Sequence, residues 1–169
     1  MKIKAAPLVS VVMGSDSDLS VMEEAVAILN AFGIPNELYL TSAHRAPERT
    51  TAYAVGAAAR GVRIIIAGAG AAAHLAGVIA SQTALPVIGV PIAATSLGGL
   101  DALLSTLQMP GGIPVATMAI GKAGAKNAAL MAVRILALTD KALGKKLDGY
   151  VENMAREIEE KGNTIYRQS

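Results

Sequence analysis

One of the two histidines in this chain of 169 residues stands in Ser42-Ala43-His44-Arg45, directly beside a guanidinium. An imidazole moves protons near neutral pH, and an arginine fixes a phosphate through paired hydrogen bonds. The pairing points to acid/base chemistry on a phosphorylated small molecule. Two other segments carry groups of the same kind. Gly14-Ser15-Asp16-Ser17-Asp18 joins hydroxyl donors to carboxylate acceptors, and Gly68-Ala69-Gly70-Ala71-Ala72-Ala73-His74 joins small residues to the second histidine.

Each segment has a plainer reading beside the functional one. The serines and aspartates of the first make either a phosphate and ribose site at a helix start or only a capped turn. His44 and Arg45 either work on a ligand or solvate a loop. The third matches Gly-x-Gly-x-x-Gly/Ala, yet a dinucleotide site wants this motif after the first strand and an acid ~20 residues on. No Asp or Glu occurs between Glu48 and Asp101, so the dinucleotide reading fails. The glycines instead allow a ligand close to the backbone, and His74 reads on its own as a hydrogen-bonded structural histidine.

The elements that must position these segments follow from hydrophobic periodicity. Leu8 to Met13, Glu37 to Thr41, Val62 to Ala67, Pro86 to Val90 and Val115 to Ile120 read as five strands, continuous in hydrophobicity and so buried on both faces. Helices are expected over Leu19 to Phe32, Pro47 to Arg60, about Ala73 to Gln82, about Leu100 to Gln108, and Ala125 to Leu138. Strict alternation predicts an α/β three-layer flavodoxin-like sandwich on a five-stranded parallel sheet, and the analogy with that fold gives the order 2-1-3-4-5. Ligands then bind beyond the carboxyl ends of the strands, where all three segments lie.

Beyond Thr139 the chain becomes highly charged. Leu143, Leu147, Tyr150, Val151, Met154 and Ile158 form an apolar stripe at helical spacing, which predicts an extra C-terminal helix. The expected organisation is one domain over 1–169, with 139–169 as a helical extension. Ala-rich helices offering few charges to water favour an oligomer.

Composition narrows the function classes. Fifteen Lys and Arg against 13 acids leave a net charge of +2, and aromatic residues make up 3% of the chain, so nucleic acid is an unlikely partner. The absence of cysteine excludes a thiol nucleophile and a thiolate metal site, and is compatible with a reducing cytoplasm. Lys2 and Lys4 before an apolar run imitate a secretory signal, but Pro7 interrupts it and it reads as the approach to the first strand. Ile64 to Leu100 lacks charged side chains, yet Pro86 and Pro91 divide it, so no membrane partner is expected. The end of the third strand, Ala67 and Gly68, lacks the aspartate of a response regulator, and no Walker lysine is present.

Taken together, the three segments resemble those of the N5-carboxyaminoimidazole ribonucleotide mutases of purine biosynthesis. The likeness runs from about Val11 to Leu138 and includes Gln108-Met109-Pro110-Gly111-Gly112-Ile113-Pro114-Val115 and Ala119-Ile120-Gly121-Lys122-Ala123-Gly124. The resemblance implies that His44 is the catalytic proton carrier, that Ser15 and Asp18 bind the ribonucleotide, and that Ser42 and Arg45 hold its phosphate. Gly70, Ala71, His74 and Leu75 would line the base and carboxyl region. It also implies an isomerase needing no cofactor and no metal, CO2 as a trapped intermediate, and a cytoplasmic homo-octamer. Two alternatives stay open, a direct CO2-dependent aminoimidazole ribonucleotide carboxylase and a non-catalytic ribonucleotide-binding module. Where the family usually has Gly-Ala-Gly-Gly-Ala-Ala-His-Leu-Pro-Gly, this chain carries Ala71 and Ala76 in place of the glycine at the fourth position and the proline. A methyl at Ala71 is expected to crowd the ligand or resist a positive backbone angle.

Overall fold

In the computed structural model, which describes residues 6–166, five strands form one parallel sheet in the order β2-β1-β3-β4-β5. They are β1 Val9–Met13, β2 Asn36–Leu40, β3 Ile64–Gly70, β4 Val87–Ile92 and β5 Ala116–Thr117. The helices are α1 Leu19–Phe32, α2 Pro47–Ala57, α3 Leu75–Ala80, α4 Leu100–Leu107, α5 Lys122–Ala137 and α6 Lys141–Ile165. The expected sandwich and strand order are both present. Residues 1–5, with Lys2 and Lys4, lie outside the described residues.

Continuous hydrophobicity in the central strands reflects a sheet covered on both sides. In β3 the side chains alternate: Ile65 and Ala67 join a cluster with Tyr53, Ala54 and Ala57 of α2 and Leu75 and Ile79 of α3. On the opposite face Gly68 lies so close to α1 that an added Cβ would overlap Met22. Ile64, Ile65 and Ile66 are almost wholly buried, each contributing ~1.5–3 kcal/mol by leaving water. Glu24 of α1 pairs with Lys122 and Lys126 of α5, both at 3.4 Å, which places the start of α5 beside α1.

Among the element boundaries that differ from the sequence expectation, three have a local reason. The strand predicted over Val115 to Ile120 reduces to Ala116–Thr117. Met118 N–H still reaches the Gly89 carbonyl at 2.9 Å, but Pro91 has no N–H to return, so the ladder stops. The second helix closes in a tight 3-10 turn, Ala58–Arg60, before Gly61 at φ 97°. The third starts at Leu75 rather than Ala73, because the Ala73 and His74 amides bond back to the Ala71 and Ala72 carbonyls at 2.9 and 2.8 Å.

The chain divides into two compact units at Ala132 and Val133, inside α5. The sheet and every loop considered below belong to the first. The second contains α6, whose first turn is capped by Asp140 accepting the Ala142 and Leu143 amides at 2.9 and 3.0 Å. Among the described residues, no helix is long and apolar enough to cross a membrane.

Candidate active site

Strand β1 has β2 on one side and β3 on the other, so the chain leaves the carboxyl ends of β1 and β3 in opposite directions. The crevice this opens is the natural ligand position in such a sheet. It holds a cavity of about 340 Å³.

The first loop is shaped by its own sequence. The Ser15 hydroxyl accepts the Ser17 amide at 3.4 Å, and the Asp18 carboxylate turns back to accept the Ser15 amide at 3.0 Å, a reciprocal cap that opens the path into α1. Asp18 is only 3% exposed. Burial pushes its carboxyl above the ordinary value, against the pull of the Ser15 and Gly14 amides and the Arg45 charge.

The second loop is pinned from beneath. Thr41 and Thr50, both buried, share a hydroxyl hydrogen bond of 2.9 Å, and Pro47 starts α2 with its preset backbone angle. Above them Arg45 crosses to the first loop, where Nη2 donates to the Gly14 carbonyl at 3.0 Å, while its amide donates to Ser42 Oγ at 3.2 Å. The guanidinium charge is thereby held between the two serine-bearing loops.

The third loop supplies a wall of small groups, Ala69 to Ala72, completed by Leu75 and by Ala94 after β4. A Cβ on Gly70 would lie 2.5 Å from that of Ala94 and 3.0 Å from the Ile92 carbonyl, so only glycine fits. Ala71 adopts φ 52°, the only described non-glycine residue with a positive angle. The methyl expected to resist this geometry is therefore present within it.

His44 stands where the polar and apolar walls meet. Its Nε2 lies 2.9 Å from Nδ1 of His74, with the rings nearly perpendicular at 89°. A single hydrogen occupies that line, so the contact orients both rings and selects complementary protonation at the two nitrogens.

Ser15, Asp18, Ser42, His44, Arg45, Gly70, Ala71 and Leu75, all selected from sequence, therefore come together on one cavity. His74 does not line it and reaches it through His44. Gly14, Ser17, Ala43, Ala69 and Ala72 also line it from within the three segments singled out in the sequence, whereas Ala94 lies outside them and was missed. Ala94 follows β4 as the selected segments follow β1 to β3, so extending the strand-end argument one strand further would have found it. The described residues contain no cluster of three or more His, Asp or Glu suited to a metal ion.

The model of the AIR carboxylase family matches residues 8–157, spanning the sheet and all three loops. The chain belongs to the AIR carboxylase family. Among AIR carboxylase relatives, the N5-carboxyaminoimidazole ribonucleotide mutase of Pyrococcus horikoshii is 57% identical over 159 residues, covering 94% of this chain and 89% of that protein. The phosphoribosylaminoimidazole carboxylase of Schizosaccharomyces pombe is 49% identical over 160 residues, covering 95% of this chain but 29% of that longer protein. The crystal structure of Treponema denticola PurE superposes with a TM-score of 0.85 at 32% identity, covering 95% of this chain and 99% of that one.

Proposed function

We propose that this protein is an isomerase of de novo purine biosynthesis that converts N5-carboxyaminoimidazole ribonucleotide to 4-carboxy-5-aminoimidazole ribonucleotide. The observation that carries the reading is His44 at the seam of the cavity, with Ser42 and Arg45 on one side and the alanine wall on the other. Family membership and the mutase name of the Pyrococcus horikoshii relative support it.

In this reading Ser42 and Arg45 hold the phosphate, and Ser15 and Asp18 hold the ribonucleotide, the carboxylate accepting hydroxyl protons. Gly70, Ala71 and Leu75 face the base and its carboxyl group, and His74 orients His44. A protonated His44 gives its proton to the carbamate nitrogen, the C–N bond breaks, and CO2 forms beside an electron-rich ring. The ring carbon attacks that CO2 to make the C–C bond, and the neutral imidazole removes the proton from the same carbon. His44 ends as it began and the net change is an isomerisation, so the cycle consumes neither ATP nor a cofactor. The small apolar wall hinders CO2 escape and water entry.

In this reading residues 1–169 form a single ribonucleotide-binding catalytic domain, with 139–169 as its helical extension, and the working protein is a cytoplasmic homo-octamer. Leu97 just before α4, Leu100, Leu104 and Leu107 along it, and Val151, Met154 and Ile158 along α6 are exposed and support association of copies. The number eight rests on the family resemblance. Light scattering on the purified protein checks it: a particle of one 17.2 kDa chain contradicts the assembly.

The test of function is turnover of freshly made N5-carboxyaminoimidazole ribonucleotide without ATP or added metal, in the presence of labelled bicarbonate. The expected product is carbon-carboxylated, mostly unlabelled, and lost in His44→Asn, which retains nucleotide binding. Near-parental turnover by His44→Asn removes this histidine from the chemistry. The name of the Schizosaccharomyces pombe relative favours one competing reading, direct carboxylation of aminoimidazole ribonucleotide. Stoichiometric label in product made from that substrate establishes it instead, and binding without turnover points to a binding module.

A further inference from the structure

The turn that carries His74 is held by a helix that contributes nothing to the cavity lining named above. Ser105, in the second turn of α4, accepts the Ala73 amide at 3.1 Å, and its oxygen lies 3.4 Å from the Ala71 carbonyl. A serine hydroxyl has one proton. The shortest of its carbonyl contacts is that to Asp101 at 2.7 Å, against 3.3 Å to Ala102, so the proton points into the helix and the lone pairs face the turn. Next to it, the buried Thr106 hydroxyl stands 3.4 Å from the Ala73 carbonyl. α4 thus addresses both the donor and the acceptor of Ala73, the residue between the strained Ala71 and the His74 ring.

We propose that Ser105 is a positioning residue for the His44 and His74 pair. A left-handed alanine persists only where its surroundings over-determine it. The Ala73 amide divides its hydrogen bond between the Ala71 carbonyl at 2.9 Å and Ser105 Oγ, so the hydroxyl ties the turn to α4. The next residue is His74, whose Nδ1 must stay 2.9 Å from Nε2 of His44. Removing the hydroxyl leaves the turn free to relax toward an ordinary backbone angle, and the His74 ring moves with it. Serine is also a weaker helix former than alanine, and its place inside α4 is explained by this cross-contact.

The kinetic test rests on the mutase reading and compares kcat and KM of the parent, Ser105→Ala, Ser105→Thr, His74→Ala and the double variant Ser105→Ala/His74→Ala. Ser105→Ala is expected to lower kcat ~10-fold with KM changed less than ~2-fold, because orientation rather than binding is lost. Ser105→Thr keeps the hydroxyl and is expected to restore kcat. In the His74→Ala background, Ser105→Ala should change kcat less than ~2-fold, since its route to His44 is already cut. A parental kcat in Ser105→Ala, an equal loss in Ser105→Thr, or the same fold-loss in both backgrounds overturns the proposal. A second readout needs no turnover: nitrogen-15 spectra of the two imidazoles, assigned with His74→Ala. Ser105→Ala should shift the hydrogen-bonded ring nitrogens and Ser105→Thr should not; an unchanged Ser105→Ala spectrum overturns the proposal. A parent that fails to turn over the substrate while showing the spectral change refutes the mutase reading and leaves the positioning role standing.

Discussion

Replacing Ala71 with glycine should make this protein more stable, although glycine usually weakens ordered backbone. Ala71 sits at φ 52°, where its Cβ crowds the following carbonyl. That conformation costs an L-residue ~1–2 kcal/mol, while glycine gives back ~0.5–1 kcal/mol through the greater freedom of its unfolded chain. The difference leaves a gain centred on ~0.75 kcal/mol for Ala71→Gly, which in a domain of this size raises Tm by ~1.5–3 °C. The measurement is a pair of thermal melts at matched protein concentration and scan rate, since association of copies would make Tm depend on both. A lower Tm for Ala71→Gly refutes the reasoning. It would mean that the alanine methyl contributes more by packing on the cavity wall than its backbone angle costs.

Two further predictions concern buried acids. Asp18 is held above its ordinary carboxyl value of 3.8, so the folded state binds a proton more readily than the unfolded one. Stability should therefore fall as pH rises out of the normal aspartate range, and Asp18→Asn should remove that slope in urea titrations taken across it; parallel slopes contradict this. Burial and the nearby Glu37 charge raise the Tyr53 phenol to about 12, with the Ser10 hydroxyl bond and Arg60 opposing. The ultraviolet difference between the parent and Tyr53→Phe should stay flat past pH 10 and turn near pH 12, and the stability that Tyr53 contributes should be lost over the same rise. A difference spectrum turning at pH 10 would sink the assignment.

The sheet was legible in the sequence because burial on both faces leaves a plain mark. Ile64, Ile65 and Ile66 admit no exposed face, and Gly33 at φ 74° ends α1 where expected, while Gly61 at φ 97° closes the 3-10 turn that follows α2. The three loops were found from the strand-end rule together with the chemistry of their side chains. What escaped were the individual side-chain contacts between residues distant in sequence. The His44 and His74 bond joins positions 30 apart, and that from Arg45 to the Gly14 carbonyl joins positions 31 apart. Local periodicity carries no record of such pairs. The short β5 escaped for the same reason, because the missing donor belongs to Pro91 on the neighbouring strand.

The wall from Ala69 to Ala72, with Ala94 opposite Gly70, has a consequence beyond its smallness. Alanine and glycine possess no side-chain rotamers, so this stretch of the wall, Leu75 apart, has no side-chain disorder to lose when a ligand arrives. Its contour is written in backbone alone, and it cannot adjust one residue at a time. A bulkier side chain at Gly70 would strike Ala94 and the Ile92 carbonyl. The ligand half that meets this wall is consequently recognised by a rigid mould, whereas the half facing the serines and Arg45 meets groups able to turn. Variation in what the site accepts should therefore arise on the polar side, and change on the alanine side should more often abolish the site than retune it.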